Sequence, residues 1–378
     1  MADVAVAVRV AGLSAGQRVT VEASTTDEAR RTWLGFAAFH ADGRGAIDLA
    51  TADPTGVGTY RQPEAMGLFW SMTPTDGKPD PLVFPFSGMR ITLRVRDDGG
   101  RSLATREVTR LFAAAGVTER DLTLARDGVI GHYYAPANAA ARRPAVLAFG
   151  GAEGGLSEYL DVVGALLASH GFPTLVIGYF AMAGLPPRLT NVPLEYFVGA
   201  LTWLRGQPGV DPEHVLTYGV SRGSEAALLL GALRPDLVQG VVGLVPTNAV
   251  HCSFPDCIGP DWNMNGGLLP YTRQFDRVDP TDEPDAVIPV ERIGGPVLLV
   301  CGQADSEWTS CPYAQAIEQR LVAHAFPNRH VVLSYPDAGH GVGRLAPYQQ
   351  DSARGDTLGE VQAWPQLLSL LDSLAKGP

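Results

Sequence analysis

From about residue 127 onward, short apolar runs that end in glycine alternate with segments of helical periodicity. The apolar runs are AVLAFGG, PTLVIGYF, HVLTYGVS, GVVGLVP, VLLVCGQAD and HVVLSYP. The helical patterns between them include YLDVVGALLASHG, LEYFVGALTWLRG and EAALLLGALRP. Strands that alternate with helices on this repeat build βαβ units and a mostly parallel sheet. This part of the chain therefore predicts an α/β domain.

The first third of the chain has a different pattern, with few segments that look helical. Its candidate strands are VAVRVAG, RVTVEAST, TWLGFAAFH and MRITLRVRD, separated by Gly, Asp and Pro turns. Several short strands with regular turns favour a β-sandwich, which we expect to be immunoglobulin-like. We predict this N-terminal domain over residues 1–120 and the α/β domain over residues 121–378. The segment TRLFAAAGVTERDL between them is expected to form a connecting helix.

Charge and composition restrict the partners. The net charge is −11 and no basic run occurs, so a nucleic-acid or anionic membrane partner is not expected. No apolar run approaches the length of a bilayer span, and MADVAVAVRV lacks the features of a signal peptide. These features predict a cytoplasmic protein. Cys252 and Cys257 are close enough to bridge, but we expect reduced thiols in this compartment.

The sequence GVSRG at Gly219–Gly223 fits the nucleophile-elbow motif G-x-S-x-G. It follows the strand pattern HVLTYG and opens the helix pattern EAALLLGAL, which is the context that the motif requires. Glycines flank the serine because its strained backbone sits in a sharp turn where neighbouring Cβ atoms would clash. Ser221 is therefore the predicted nucleophile; the alternative is a turn that fits the pattern by chance.

A serine needs a neighbouring base and a group that orients that base. His340 follows the last strand pattern in the small-residue loop DAGHG, whereas His251 lies in a segment that we expect to cover the site. Asp305 directly follows the strand pattern VLLVCG; Asp337 is the competing acid, and a helix-capping role for Asp305 is also open. The order serine, aspartate, histidine is that of α/β-hydrolases. The sequence thus predicts a C-terminal α/β-hydrolase domain.

Two further sets of residues are predicted around this triad. The oxyanion of the tetrahedral intermediate needs N–H donors, for which we assign Arg222 and the loop GGAEGG, with Ala152 favoured over Gly151. No metal site or cofactor is predicted. The predicted substrate-contacting residues are Gly151, Glu153, Tyr179, Phe180 and Trp308.

Beyond these motifs, the chain resembles the acyl-CoA thioesterases and bile acid-CoA:amino acid N-acyltransferases over nearly its whole length. The segments that carry the resemblance are YRQPEAMGLFWSMTP, GGLSEYLDVVGALLASHGFPTLVIGYF, LPPRLTNVPLEYFVGALTWLRGQPGV, GVSRGSEAAL, GQADSEW and YPDAGH. The resemblance implies a β-sandwich followed by an α/β-hydrolase domain. It also implies, position by position, that Ser221, Asp305 and His340 hydrolyse an acyl thioester.

Three departures from the family pattern bear on function. Acyltransferase members use cysteine where this chain has Ser221, which favours hydrolysis over transfer to an amine. The segment HCSFPDCIGPDWNMNGGLLPYTRQFDRV, residues 251–278, differs from the family and leaves the acyl group open. Arg222 replaces the usual lysine, and its alternative role is an ion pair with Glu225 or another carboxylate.

The expected partner is a small acyl thioester, and the expected assembly is a monomer or small homo-oligomer. If the substrate is acyl-CoA, its phosphates need a cluster of arginines. The candidate arginines are Arg188, Arg222, Arg273 and Arg277.

Three alternatives remain: a carrier-protein thioester or an ester as substrate, acyl transfer to an amine or alcohol, and a non-catalytic binding module.

Overall fold

The computed structural model describes residues 1–78, 88–137, 141–348 and 353–375. The chain forms two compact units. The first consists of Met1–Ala113 together with Ala346–Thr357, and the second of Ala114–Leu345 together with Leu358–Pro378.

The first unit is built mainly from antiparallel strands. Strands β2, β3, β5, β6 and β7 form a five-stranded sheet in the order β5-β3-β2-β6-β7, and β1 pairs with β4. Along β2 the buried residues alternate with more exposed ones, as expected for a strand with one face in the core. The elements are β1 Arg9–Val10, β2 Arg18–Thr26, β3 Thr32–His40, β4 Ile47–Asp48, α1 Gly67–Trp70, β5 Thr73–Pro74, β6 Met89–Asp97 and β7 Ser102–Arg110.

Three of the four predicted N-terminal strands coincide with β2, β3 and β6, whereas VAVRVAG contributes only the two residues of β1. Strand β7 was not predicted, because most of its side chains are exposed and its sequence SLATREVTR has little apolar alternation. The immunoglobulin-like arrangement stays a prediction.

The second unit contains the remaining strands and most of the helices. The strands are β8 Thr118–Leu122, β9 Ile130–Ala135, β10 Arg143–Phe149, β11 Thr174–Gly178, β12 Val192–Pro193, β13 Val210–Val220, β14 Val241–Leu244, β15 Trp262–Met264, β16 Gly267–Leu268, β17 Val297–Gly302 and β18 His330–Tyr335. The helices are α2 Leu124–Asp127, α3 Glu158–Ser169, α4 Leu194–Arg205, α5 Arg222–Leu233, α6 Ser310–Ala323 and α7 Arg354–Ala375, the last of which begins in the first unit.

The connecting helix predicted from TRLFAAAGVTERDL is wrong. Strand β7 continues to Arg110, and Thr118–Leu122 forms β8, which pairs antiparallel with β9. Between the two strands the chain turns at Gly116, whose φ is 86° and which therefore ends any helical pattern. Pairing with β9, which the sequence alone does not reveal, outweighs the local helix propensity of the alanines.

Eight strands form the central sheet in the order β8-β9-β11-β10-β13-β14-β17-β18. The strands from β11 to β18 in this order are all parallel neighbours, and β8 and β9 pair antiparallel at one end. Strands β10, β14 and β17 are almost completely buried, as is typical of a parallel sheet covered on both faces. This mostly parallel sheet with its helices has the α/β-hydrolase fold, and that prediction is confirmed.

The sheet brings the predicted catalytic residues to one edge. Ser221 follows β13, Asp305 follows β17, and His340 begins a short 3₁₀ segment, His340–Arg344, after β18. Because carboxyl ends of neighbouring parallel strands meet at the same edge, these three positions share the edge where α/β proteins place ligands. Among the described residues, no helix has both the length and the apolar character needed to cross a membrane.

Candidate active site

Ser221 occupies the strained turn that the sequence predicts. Its φ and ψ are 55° and −121°, between the end of β13 and the first residue of α5. A Cβ atom at Gly219 would lie 2.2 Å from the Gly223 carbonyl oxygen, and one at Gly223 would lie 2.2 Å from the Gly150 carbonyl oxygen. Both flanking positions therefore require glycine. A non-glycine residue held at positive φ is costly and typical of functional sites.

Asp305 and His340 are in direct contact. The Nδ1 atom of His340 lies 2.9 Å from Oδ2 and 3.1 Å from Oδ1 of Asp305. Ser310 Oγ, at the start of α6, also donates to Asp305 Oδ2 at 2.6 Å. Burial of the carboxyl raises its pKa, but the hydrogen bonds from His340 and Ser310 outweigh that effect and lower the pKa from 3.8. Asp305 is thus an ionised carboxylate that holds the imidazole through Nδ1, and Nε2 of His340 lies 3.6 Å from Oε2 of the exposed Glu307.

The loops around Ser221 approach it closely. A Cβ atom added to Gly151 would lie 2.9 Å from the Cβ of Ser221, so the GGAEGG loop lies against the serine. A Cβ atom added to Gly343 would lie 3.1 Å from Val220 Cγ1, so the 3₁₀ segment that starts at His340 packs on the strand end before Ser221. The Ser221 N–H donates to the Leu244 carbonyl at 2.9 Å, which fixes the turn to β14.

The hydroxyl of Tyr179 holds the GGAEGG loop, the predicted source of an oxyanion donor, through two carbonyl groups. Its hydroxyl lies 2.9 Å from the carbonyl oxygens of both Gly150 and Gly151, to which it donates. Tyr179 and Phe180 are buried, at 2% and 5% exposure, so both support the loop from within the core. Glu153 Oε1 accepts hydrogen bonds from Ser157 Oγ and Tyr159 OH, which closes the loop on itself.

Trp308, which lies in the same loop as Asp305, contacts Val245, His340 and His251. Its indole N–H donates to the Val245 carbonyl at 3.0 Å, and its ring lies edge-on to the ring of His340 with centroids 6.1 Å apart. The Trp308 ring also contacts the ring of His251, with centroids 6.0 Å apart. Trp308 therefore lies beside the predicted base, whereas His251, at 0% exposure, is a buried packing residue.

The four candidate arginines do not have equivalent environments. Arg222 is only 4% exposed, and its guanidinium contacts Asp261 at 2.9 Å, as expected from the ion-pair alternative. Arg188 forms an ion pair with Asp256 on the surface. Arg273 and Arg277 are exposed, and within the described ranges neither has a carboxylate oxygen within 4.0 Å of its guanidinium.

All four cysteines are paired, which corrects the expectation of reduced thiols. Cys252 is bonded to Cys257 and Cys301 to Cys311. The second pair joins the end of strand β17 to the first turn of α6 and closes the loop that carries Asp305 and Trp308. Spacing in the sequence does not reveal this pair, because the loop folds back only when α6 packs against β17.

We expect the Cys301–Cys311 bond to stabilise the protein by about 2–3 kcal/mol, because a cross-link over a loop of about ten residues removes that much chain entropy from the unfolded state. Urea unfolding of a Cys252→Ser/Cys257→Ser variant, with and without dithiothreitol, measures this difference. The variant with all four cysteines replaced by serine is the control and should not respond to dithiothreitol. Equal free energies of unfolding for the oxidised and reduced protein would contradict the prediction.

One group of potential metal ligands occurs among the described residues, away from Ser221 at the β8 edge of the sheet. Atoms of Glu119, Asp121 and His132 lie within 4.8 Å of one another. Nδ1 of His132 also lies 2.8 Å from Asp161 Oδ1, and this hydrogen bond raises the pKa of His132. The hydrogen bond accounts for the histidine without an ion, and nothing connects this group to the sheet edge that carries Ser221.

The structure adds residues that the sequence did not single out. Ser310 contributes a hydrogen bond to Asp305, and Asp261 contributes the carboxylate that pairs with Arg222. Neither lies in a recognisable motif; Ser310 stands in WTSCP and Asp261 in GPDW. Only the packing of α6 and of the 251–278 segment brings them to the site.

Sequence comparisons bear on this site. The profile described as "Acyl-CoA thioester hydrolase/BAAT N-terminal region" matches residues 3–124, and "BAAT / Acyl-CoA thioester hydrolase C terminal" matches residues 192–349. Acyl-coenzyme A thioesterase 6 of Mus musculus is 32% identical over 358 residues, which cover 89% of this chain and 82% of that protein. The chain belongs to the acyl-CoA thioester hydrolase/BAAT family. The resemblance that we infer from the motifs is confirmed.

A second relative agrees with this placement. Acyl-coenzyme A thioesterase 1 of Rattus norvegicus, a member of the same kind, is 32% identical over 355 residues, covering 89% of this chain and 82% of that protein. A crystal structure of an α/β-hydrolase enzyme from a deep-sea metagenome library superimposes with a TM-score of 0.48 at 17% identity, covering 70% of this chain and 100% of that chain. The acyl-CoA thioester hydrolase/BAAT match at residues 192–349 includes Ser221, Asp305 and His340.

Proposed function

We propose that this protein is a serine thioesterase that hydrolyses acyl-CoA, or a related acyl thioester, through an acyl-enzyme on Ser221. The observation that carries the proposal is the Asp305–His340 hydrogen bond at the sheet edge where Ser221 occupies a strained elbow. Membership of a family whose relatives are named acyl-coenzyme A thioesterases supports the thioester as substrate. The compartment stays a prediction.

In the first half-reaction, Ser221 Oγ attacks the thioester carbonyl carbon while His340 Nε2 takes the hydroxyl proton. The N–H groups of Arg222 and of Ala152 or Gly151 are our candidates for binding the oxyanion that develops. The carbon–sulfur bond then breaks, and His340 returns the proton to the departing thiolate. Asp305 stabilises the imidazolium because it is ionised and bonded to Nδ1.

In the second half-reaction, water replaces the thiol. His340 takes a proton from this water as it attacks the acyl carbon, and the ester bond to Ser221 breaks with return of the proton to Oγ. This step releases the carboxylic acid and regenerates the Ser221 hydroxyl of the enzyme. We favour water over an amine as acceptor because position 221 carries serine, whereas the acyltransferases of the resemblance use cysteine.

The activity test combines thiol release with product analysis. A panel of short, long, branched and aromatic acyl-CoAs is incubated with and without glycine or taurine. We expect equal amounts of free thiol and carboxylic acid in every productive reaction, with no effect of either amine. An amine conjugate as main product would overturn hydrolysis in favour of acyl transfer, and absence of thiol release from every acyl-CoA would overturn the thioesterase proposal.

For the phosphates of coenzyme A we favour Arg273 and Arg277 over the other two candidates. Arg188 is neutralised by Asp256, and Arg222 is buried against carboxylates. The two favoured arginines flank Phe275, whose ring lies 5.0 Å from the Arg222 guanidinium and thus close to the residue after the nucleophile. Their exposed charges are free to meet a polyanion.

We expect Arg273→Ala/Arg277→Ala to raise the KM for acyl-CoA about tenfold at low salt. Each surface contact between an arginine and a phosphate is worth a few tenths to about 1 kcal/mol, and salt screens it little under these conditions. Hydrolysis of p-nitrophenyl acetate, which has no phosphate, should be unchanged. Steady-state kinetics at two ionic strengths measure both effects. The matched control is Arg9→Ala, which removes an exposed arginine of the first unit. An unchanged KM for acyl-CoA would reject this assignment without affecting the thioesterase proposal.

A further inference from the structure

A cluster of buried charged side chains that the proposed mechanism does not use begins at Arg222, the residue after Ser221. Arg222 is 4% exposed, and Glu225 and Asp261 are each 0% exposed. Ionised groups are costly to bury unless they are paired with good geometry. The cluster therefore has a cost that the fold must offset, and its position next to the nucleophile suggests a role in the reaction.

The three side chains form one connected arrangement. Arg222 Nη1 donates to Asp261 Oδ2 at 2.9 Å and lies 3.6 Å from Glu225 Oε2. Arg222 Nη2 donates to the Cys252 carbonyl at 3.2 Å. Glu225 Oε1 in turn accepts from the His251 N–H at 3.1 Å and from the Trp262 indole at 2.9 Å. The first turn of α5 is thus bonded to both ends of the 251–262 segment.

Aromatic side chains connect this cluster to the GGAEGG loop and to His340. Trp262 packs against Tyr179 with centroids 5.6 Å apart, and Tyr179 is the residue that holds the carbonyls of the GGAEGG loop. The Arg222 guanidinium carbon lies 5.6 Å from the centre of the Trp308 ring, and Trp308 contacts His340. A displacement of the Arg222 side chain would therefore shift the neighbours of the GGAEGG loop and of His340.

Binding of a substrate anion is a poor explanation for Arg222. The carboxyl groups of Glu225 and Asp261 already lie 3.6 Å and 2.9 Å from its guanidinium. Burial raises the pKa of Asp261 well above its ordinary value, although the charge of Arg222 opposes this rise. An additional phosphate or carboxylate would have to reach a guanidinium that is 4% exposed and already donates to Asp261 and to the Cys252 carbonyl.

We propose that Arg222, Glu225 and Asp261 form a positioning cluster that ties the 251–262 segment to the first turn of α5 and so fixes the Arg222 N–H as oxyanion donor. The side chain and the donor N–H belong to the same residue, so its anchoring restricts the φ and ψ that aim the N–H. This inference rests on the proposed acyl-enzyme at Ser221. The side chains of the three residues are positioning groups, because they act through the Arg222 N–H and not on the reacting atoms themselves.

A positioning role predicts a defect in kcat rather than in KM, because the oxyanion exists only in the transition state and the tetrahedral intermediate. We expect Arg222→Met to lower kcat about 100-fold with KM changed less than about threefold, comparable to the loss of one oxyanion donor. Arg222→Lys, which keeps a charge for Asp261, should recover kcat to within about tenfold of the wild type. Arg234→Met, which removes an arginine at the other end of α5 paired with Asp236 on the surface, is the matched control and should stay within about twofold.

The test uses p-nitrophenyl acetate as well as acyl-CoA, and every variant is checked for folding by circular dichroism. Should Arg222→Met fail to fold, Arg222→Lys and Asp261→Asn carry the test, with an expected loss in kcat of about tenfold for Asp261→Asn. A raised KM with unchanged kcat, or wild-type kcat in all folded variants, would overturn the positioning cluster. Wild type that cleaves the ester but no acyl-CoA would refute the proposed substrate and leave this test intact. Wild type inactive on both substrates would overturn the two proposals together.

Discussion

Replacing Ser221 with alanine is expected to lower kcat/KM for acyl-CoA hydrolysis by about 10⁵- to 10⁶-fold, with little change in the free energy of unfolding. Loss of a serine nucleophile costs about this much in a triad hydrolase, because the base and the acid then have no hydroxyl to activate. The folded state should tolerate the change, because alanine lacks only the hydroxyl oxygen of serine. Gly219 and Gly223 still avoid the clashes that side chains at these two positions would cause. Thiol release from an acyl-CoA, followed at high enzyme concentration, measures the residual rate.

The control for this variant is Ser373→Ala. Ser373 lies in α7, and its hydroxyl donates to the Leu370 carbonyl within the same helix. Its removal should leave kcat/KM within about twofold of the wild type, as expected for a position without a special role. Retention of more than about 1% of activity by a pure Ser221→Ala preparation would place the nucleophile elsewhere.

Replacing Asp305 with asparagine is expected to lower kcat about 10⁴-fold, because the amide favours the wrong tautomer of His340 and cannot stabilise its imidazolium. The pKa of Asp305 is lowered from 3.8 in the folded protein, so the carboxylate persists at every pH above that value. The loss should therefore be nearly constant between about pH 6 and pH 9 and should not be recovered by raising the pH. Steady-state kinetics across this range test both statements.

Asp337→Asn is the matched control for that experiment. Asp337 stands three residues before His340 and is the competing acid from the sequence, but it is exposed in the structure, whereas the Asp305 side chain is 1% exposed. We expect Asp337→Asn to keep kcat within about twofold. A larger loss from Asp337→Asn than from Asp305→Asn would reverse the assignment of the acid.

The sequence predicted the site to the extent that local patterns determine it. The strained turn at Ser221 was predictable because the elbow needs two glycines, a strand before it and a helix after it, all within a short stretch. The contact between Asp305 and His340 was predictable because both follow apolar strands, and parallel strands bring their carboxyl ends together. The buried strands of the α/β domain were readable for the same reason, since their apolar runs are nearly continuous.

Features that depend on long-range packing were not readable. The Cys301–Cys311 bond requires α6 to dock on β17, and the strand β8 requires pairing with β9. Strand β7 has an exposed and polar sequence that carries little strand signal. The partners of Arg222 were only partly foreseen: Glu225 is on the same helix and lies one turn away, whereas Asp261 comes from a segment that differs from the family pattern.

The residues predicted to contact substrate show the same limit. Tyr179 and Phe180 follow a strand end, which made them reasonable candidates, but the fold buries both. Tyr179 instead holds the GGAEGG loop, because its hydroxyl donates to the carbonyls of Gly150 and Gly151. Strand ends identify an edge of the sheet, but side-chain direction at that edge depends on the neighbouring loops.

The most direct test of the account is to trap the intermediate. Wild-type enzyme is mixed with a long-chain acyl-CoA, quenched in acid within milliseconds, digested with pepsin and analysed by mass spectrometry. The account predicts an acyl group on Ser221 in the peptide that contains GVSRG, and no such adduct in the Ser221→Ala protein. An acyl group on a different residue, or rapid hydrolysis with no covalent adduct at any quench time, would contradict it.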